Sequence, residues 1–171
     1  CEFKLKPTFN VTDPTSNDTF LFDLDSHKYF ALLALGPLSE KTKLGYHSLK
    51  AASSNEFDFS NSKPNDNYEG CDKTYGCFGI PDNCISTKNC SILSKWMKSE
   101  DLYSFEMFGE ATDTNYIAIG FSNDNLMGND SVVACHGNGN VSMYWNTASK
   151  SNMATNDTTS ISDAKSSLQD G

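Results

Sequence analysis

The sequence predicts an all-β fold, an antiparallel sandwich or barrel, and two observations support this class. Apolar and polar residues alternate in short runs at residues 3–5 and 103–107, and apolar residues surround small ones at 116–121. Each run is followed by a proline, glycine or polar turn. No segment keeps the 3.6-residue apolar period of a helix over ten positions. Short strands separated by turns rich in Gly, Asn, Asp and Pro are typical of sandwiches and barrels.

Further candidate strands lie at residues 29–35, 44–49, 131–136 and 140–145. The last of these follows a Gly-Asn-Gly-Asn turn at residues 137–140, which predicts a hairpin. Residues 50–70 and 148–170 are rich in Ser, Asn and Asp, so we expect linkers or long surface loops there. The first of these segments leaves an N-terminal piece of about three strands, too few to form a core alone.

The chain is acidic and contains no arginine. Its 171 residues include 13 lysines against 22 Asp and Glu, a formal net charge of −9. Phosphate backbones and anionic lipid surfaces bind cationic protein surfaces, so we do not expect nucleic acid or anionic membranes as partners. No apolar run approaches the roughly 18 residues that a membrane span requires. The first residue is Cys1 and not methionine, so we expect a processed product or part of a longer protein.

The cysteines and the glycosylation sequons predict a secreted, disulfide-bonded glycoprotein. An even number of cysteines, most of them crowded together, indicates a disulfide framework: Cys1, Cys71, Cys77, Cys84, Cys90 and Cys135. N-linked glycans are expected at six N-x-Ser/Thr sequons: Asn10, Asn17, Asn89, Asn129, Asn140 and Asn156. Zinc is the alternative reading of the cysteine cluster, but the spacing has no close C-x2–4-C pair and no nearby histidine.

The central part of the chain has a distinctive order of motifs. It runs through Gly70-Cys71, Gly76-Cys77-Phe78, Pro81, Cys84, Cys90, a strand at 103–109, Y-I-A-I-G-F-S at 116–122, M-G-N-D at 127–130 and V-V-A-C at 132–135. Over roughly residues 68–147 this order resembles the DOMON domain, specifically the DOMON modules of animal ferric-chelate-reductase-like proteins. The resemblance implies an immunoglobulin-like antiparallel β-sandwich whose last strands are missing after residue 147.

The missing strands resemble the beginning of the chain. In such modules the M-G-N-D half leads to an x-D-G ending, then C-x-F, an alanine-glycine-proline turn and a Tyr-His pair. This chain ends on Asp170-Gly171, begins on Cys1-Glu2-Phe3, and continues through Leu35-Gly36-Pro37 to Tyr46-His47. The resemblance therefore implies a DOMON module in permuted order.

The permuted order divides the chain into three parts. Residues 1–50 would be the C-terminal strands of a DOMON sandwich, residues 51–67 a polar linker, and residues 68–171 the N-terminal and central part. We expect the first part to complete a neighbouring copy, which builds a head-to-tail filament of identical units. One unit cut from a tandem array has the same sequence order, and the linker could also fold back within one copy.

Haem-binding DOMON modules hold a b-type haem between a methionine and a histidine, and the resemblance implies that Met127 and His47 are these ligands. Thioether and imidazole are neutral ligands that suit haem iron. The local sequence pattern alone would indicate that Met127 is a turn residue and His47 a surface residue. His136 is the reserve ligand. No C-x-x-C-H motif occurs, so haem b would bind non-covalently.

The resemblance also implies a disulfide between Cys1 and Cys135, because both lie on predicted strands beside the junction of the two halves. The other four cysteines can then pair in three ways, of which we favour Cys71 with Cys77 and Cys84 with Cys90. Residues 124–130 do not fit a calcium-binding loop of the EF-hand type, because Leu and Met occupy positions that require oxygen ligands.

Two functions of different class follow from the sequence. The first is a secreted haem-binding module that transfers one electron and assembles head-to-tail with copies of itself. The second is a purely structural glycosylated fibre or adhesion module without cofactor, or a carbohydrate-binding sandwich. We do not expect an enzyme, because no G-x-S-x-G or other nucleophile–base motif is present.

Overall fold

The protein is nearly all β-structure in a computed structural model, which describes residues 1–39, 43–60, 68, 70–71, 74–109, 112–148, 151–155, 157 and 159–167. The strands in these ranges are β1 (Glu2–Leu5), β2 (Thr8–Thr12), β3 (Thr19–Asp23), β4 (Phe30–Ser39), β5 (Lys43–Leu44), β6 (Leu49–Ala52), β7 (Gly76–Ile80), β8 (Ile92–Ser99), β9 (Leu102–Gly109), β10 (Asn115–Ser122), β11 (Asp130–His136), β12 (Val141–Asn146), β13 (Asn152–Ala154) and β14 (Ile161–Lys165). One helical turn, α1 (Cys84–Thr87), follows β7. No helix in the described ranges is long and apolar enough to cross a membrane.

Two antiparallel sheets form the sandwich, so the predicted fold class is confirmed. One sheet has the order β14-β1-β9-β8-β7, and the other has the order β13-β12-β11-β10-β4-β5 with β6 also paired to β4. Strands β2 and β3 form a separate hairpin. The first strand of the chain therefore lies inside one sheet, between β9 and β14, and β4 lies inside the other.

The core lies between the two sheets and is built by the alternation seen in the sequence. In β10, Ile117, Ile119 and Phe121 belong to this core. From the opposite sheet, Phe3 stacks on Phe105 with 5.1 Å between the ring centroids. Alternate residues of a strand point to opposite faces, so the remaining residues of β10 lie on the other side of the seven-stranded sheet.

That other side, here called the far face, is also apolar. Tyr116 and Ala118 of β10 pack there in a second cluster with Ala34, Leu44 and Val132, all buried. A sheet buried on both faces reads as a nearly continuous apolar run, as in the A-I-G-F part of β10. The far face carries the site described below.

The polar linker predicted at residues 51–67 is wrong for its first part. Residues 51 and 52 belong to β6, which pairs with β4. Phe59 is fully buried, with its ring centroid 4.7 Å from that of Trp96 and 5.4 Å from that of Phe121. A single aromatic residue among Asp, Ser and Asn produces no periodic signal, which is why the sequence pattern missed it. Residues 61–67 lie outside the described residues.

The loop predicted at residues 148–170 contains two strands, β13 and β14. Strand β14 pairs with β1, with Glu2 opposite Lys165 and Leu5 opposite Ile161. It is an edge strand with four of its five residues exposed, so it lacks the apolar alternation that a half-buried strand would show. Residues 168–171 lie outside the described residues.

Three disulfides tie the described chain together, in the pairs favoured from the sequence. They are Cys1–Cys135, Cys71–Cys77 and Cys84–Cys90. The first joins the start of β1 in one sheet to β11 in the other, with 6.2 Å between the two Cα atoms. Because no free cysteine is left, the cysteine cluster does not supply thiolates for the zinc alternative.

Candidate ligand-binding site

A pocket of about 690 Å³ opens on the far face of the seven-stranded sheet. His47 and Met127, the two predicted ligands, both line it, and both also line a smaller adjoining cavity with Tyr116 and Gly120. We call the larger space the His47–Met127 pocket. Its volume is within the range of pockets that bind small molecules and cofactors. The fold thus brings together two residues that are far apart in sequence.

The segment that carries His47 is fastened to β4 and β10 by hydrogen bonds. The Gly45 N–H donates to the Pro37 carbonyl at 2.9 Å, and the Ser48 N–H donates to the Leu35 carbonyl at 2.9 Å. The Tyr116 hydroxyl donates to the Gly45 carbonyl at 3.0 Å. The backbone on both sides of His47 is therefore fixed relative to the sheet.

Gly36 allows this segment to lie close to the sheet. A Cβ atom at this position would be 2.7 Å from the His47 Cα and 3.0 Å from two atoms of the Tyr116 side chain. Contacts this short are not tolerated between such atoms, so any side chain here would displace the His47 backbone. The glycine of the predicted Gly-Pro turn thus has a packing role at the site.

The His47 imidazole has an unusual environment. Its Nε2 atom is buried and forms no hydrogen bond. Burial lowers the pKa of His47, and the positive charge of Lys50 lowers it further. The neutral imidazole is the form that binds a metal. Because the ring is neutral and Nε2 has no hydrogen-bond partner, this nitrogen could coordinate a metal ion.

Met127 lies in the turn between β10 and β11, and the M-G-N-D motif builds that turn. The Gly128 N–H donates to the Asp130 Oδ2 at 2.8 Å, and the Asn129 N–H donates to the Asn146 carbonyl at 2.7 Å. Gly128 has φ 138°, a conformation that favours glycine. Asp130 is fully buried, and this burial raises the pKa of its carboxyl. The motif fixes the methionine at the edge of the pocket.

The floor of the site is made of small residues. Ala34, Ala118 and Gly120 lie on the far face of β4 and β10, where they line the adjoining cavity. A Cβ atom on Gly120 would be 3.1 Å from the Leu32 Cβ, so this position is also tightly packed. Small side chains leave a flat apolar surface beside His47 and Met127.

His136, the reserve ligand, belongs to a different environment. It is buried, with Nε2 3.0 Å from the Tyr144 hydroxyl oxygen, and burial lowers its pKa. Among the described residues that line the His47–Met127 pocket, His136 does not occur. The geometry thus separates His136 from the other two predicted ligands.

Comparison with known proteins agrees with this architecture. Residues 88–171 match the sequence profile of the DOMON domain. This part of the chain is similar to DOMON domains. Over 79 residues the chain is 38% identical to a Drosophila melanogaster protein named as a ferric-chelate reductase 1 homolog, covering 45% of this chain and 12% of that protein. Over 77 residues it is 42% identical to a Danio rerio protein named as ferric-chelate reductase 1, covering 42% of this chain and 13% of that protein. No solved structure matches the chain.

The resemblance predicted from the motifs is therefore confirmed. The chain spans about an eighth of the length of these two relatives. The DOMON match contains Met127 and its turn but not His47, which lies before residue 88. The matched segment thus supplies Met127 to the pocket, and the residues before it supply His47.

The predicted glycosylation sites are compatible with glycan attachment where they are described. The exposed asparagines are Asn10, Asn17, Asn89, Asn129 and Asn140. Asn156 lies outside the described residues. Exposure satisfies the steric requirement for an N-linked glycan at each of these positions.

Proposed function

We propose that this chain is a haem-binding DOMON module for electron transfer, with His47 and Met127 as the axial ligands. The observation that supports the proposal is that both residues line one pocket of about 690 Å³ on the far face of the sheet. The floor of the adjoining cavity is apolar and made of small residues, which suits a flat ring system beside the two ligands. The Nε2 of His47 is buried without a hydrogen-bond partner, which is unusual for a polar atom, and coordination of iron would satisfy it.

The donor set favours iron in a porphyrin over a bare ion. No group of three or more His, Cys, Asp or Glu within the described ranges could hold a metal ion. One imidazole and one thioether are too few for a bare ion, but they complete the coordination of iron already held by four ring nitrogens. Haem, when bound, would supply one-electron transfer at a potential raised by the methionine.

The residues of the chain would position and shield the group. The turn stabilised by Asp130 holds Met127, and the hydrogen bonds of Gly45 and Ser48 hold His47. Leu32, Leu44 and Leu126 line the pocket with apolar side chains. An apolar lining of this kind would also raise the reduction potential of a bound iron centre, because it lowers the polarity around the iron.

We further propose that the module functions outside the cell, as a glycoprotein. All six cysteines are paired, and disulfides persist in oxidising compartments. The exposed sequons support the same compartment. Expression in a secreting host with and without an enzyme that removes N-linked glycans tests this, since a mass shift at the five exposed sequons is expected.

Assembly with copies of itself is proposed on the position of the N-terminal strands. Strand β1 completes one sheet between β9 and β14, and β4 completes the other beside β10. The same pairings could be made between two copies, each donating its first strands to the next. In that case the Cys1–Cys135 bond links two chains. Unreduced denaturing gels should then show a ladder, whereas a single band at the mass of one chain, 18.8 kDa once N-linked glycans are removed, argues for closure within one chain.

Haem titration followed by visible absorbance tests the central proposal. Wild-type protein should bind one haem with a low-spin spectrum, because both axial positions are filled. His47→Ala should lose this spectrum, while His27→Ala, a change at an exposed histidine outside the pocket, should retain it. If no haem binds the folded wild-type protein, the module has a structural or carbohydrate-binding function instead.

A further inference from the structure

The charges around the His47–Met127 pocket are opposite to those of the chain as a whole. The chain carries 22 acidic residues against 13 lysines. The described lining of the pocket nevertheless contains two lysines, Lys43 and Lys50, and no carboxylate. In an acidic protein, a pocket with only cations in its described lining favours a ligand with negative charge.

The two lysines flank the segment that carries His47. Lys43 is in β5 and Lys50 in β6, and both are exposed, so they lie where the pocket meets solvent. The Nζ of Lys50 is 5.9 Å from the centroid of the Tyr46 ring. Within the described ranges neither lysine forms an ion pair, and the ion pairs there join Lys4 to Asp163, Lys95 to Glu106 and Lys98 to Asp25. Both ammonium groups can therefore turn to a ligand without breaking a described ion pair.

The rest of the lining specifies the other part of the ligand. Leu32, Leu44 and Leu126 are apolar, and the floor of the adjoining cavity is made of alanine and glycine. The lining also contains neutral polar residues: Asn125, Ser151 and Asn152. A molecule that fits such a site has an apolar, flat body within the pocket and anionic groups at its open side. Placing the anionic groups deeper would bury them without partners, which costs free energy.

We infer that Lys43 and Lys50 bind the carboxylates of the ligand. The anionic edge of the ligand then faces solvent, and its apolar part lies inside the pocket. This inference rests on the proposed function, and for haem the carboxylates are the two propionates. Lysine binds a carboxylate as a point charge through a flexible side chain, which suits groups at a partly exposed edge. The two lysines then determine the orientation of the ring, with the edge that carries the carboxylates at the opening of the pocket.

Comparison of haem with its dimethyl ester tests the inference, because the ester has the same ring and iron but no carboxylate charge. Wild-type protein in the same detergent should bind haem about five- to tenfold more tightly than the ester, as expected for partly exposed ion pairs. The double variant Lys43→Gln/Lys50→Gln should bind both equally. Lys28→Gln, a change at an exposed lysine that does not line the pocket, should keep the wild-type preference.

The outcomes separate this inference from the proposal beneath it. Haem binding with a low-spin spectrum in every variant, but with no preference over the ester in the wild type, overturns the role of the lysines and leaves the axial ligands intact. A preference that survives in the double variant does the same. Failure of the wild-type protein to bind haem or ester overturns the proposed function. Added salt should weaken the wild-type preference, since exposed charge pairs are screened.

Discussion

The hydroxyl group of Tyr116 donates a 3.0 Å hydrogen bond to the carbonyl of Gly45, two residues before His47. Tyr116 is in the centre of the far face and is almost fully buried. Burial raises the pKa of its phenol to about 12, so the group remains a neutral donor across the physiological range. This bond connects the DOMON strand β10 to the segment of the N-terminal residues that carries the predicted histidine ligand.

Tyr116→Phe should therefore weaken haem binding without changing the fold. The substitution removes one buried hydrogen bond and keeps the ring, so we expect a loss of about 1 kcal/mol in the free energy of unfolding. The larger effect should be on the His47 segment, seen as a mixture of low-spin and high-spin haem. Tyr144→Phe is the matched control, because its hydroxyl contacts His136 instead. Equal spectra for the two variants would contradict the positioning role of Tyr116.

Gly36→Ala should abolish low-spin haem binding. The added methyl group would be 2.7 Å from the His47 Cα, a backbone atom that cannot move without moving the imidazole. Gly120→Ala meets a side-chain atom of Leu32 at 3.1 Å and should have a smaller effect. Haem titration of both variants, with circular dichroism to verify folding, measures the difference. A folded Gly36→Ala protein with the wild-type spectrum would show that His47 does not depend on this contact.

Much of the fold could be predicted from the sequence, and the failures have physical reasons. Tyr103, Phe105 and Met107 alternate with polar residues, so β9 was predictable. Strand β8 was missed because its buried Lys95 interrupts the apolar pattern; the ammonium group is 2.8 Å from Glu106 and lies over the ring of Tyr75. Phe59 was missed because one aromatic residue in a polar run has no period.

The site divides in the same way. The Met127 turn could be recognised because M-G-N-D is local, with glycine and aspartate each required within the turn. The His47 half depends on Gly36, Tyr116 and the pairing of β4 with β10, which are contacts between distant parts of the chain. No local pattern encodes such contacts. The position of Lys43 and Lys50 beside the pocket also depends on such distant contacts, so the sequence did not predict it.

The stability of the protein should decrease as the pH falls below about 6.5, the pKa of an unperturbed histidine. Burial lowers the pKa of His136 in the folded state, so below pH 6.5 the unfolded chain binds a proton that the folded chain does not. Stability contributed by the neutral His136 is thus present at higher pH and is lost as the pH falls towards the lowered folded pKa. The slope from one such group is at most about 1.4 kcal/mol per pH unit.

Urea unfolding at several pH values between 4.5 and 7.5, followed by fluorescence of the buried Trp96 and Trp145, measures this dependence. His136→Gln should reduce the slope, because glutamine does not titrate. Some slope should remain, because burial also lowers the pKa of His47. A slope in His136→Gln equal to that of the wild-type protein would assign the pH dependence to groups other than His136.

The Cys1–Cys135 disulfide should stabilise the fold more than Cys84–Cys90. The first spans 134 residues and the second spans 6. For bonds closed within one chain, loop-closure entropy predicts a contribution of about 5 kcal/mol for the longer loop and about 2 kcal/mol for the shorter one. Removal of each pair by double substitution to alanine, followed by urea unfolding, measures the two values. Comparable losses would mean that native-state contacts outweigh the entropy of the unfolded chain.

The most direct test of the haem site is the spin state and reduction potential of Met127→Leu in the haem-loaded protein. Leucine conserves volume and removes the thioether, so we predict a change from low-spin to high-spin haem and a lower potential. Met97→Leu, the same change on the other sheet, should leave both unchanged. If Met127→Leu keeps the low-spin spectrum and the potential of the wild-type protein, Met127 is not a ligand and the proposed site is wrong.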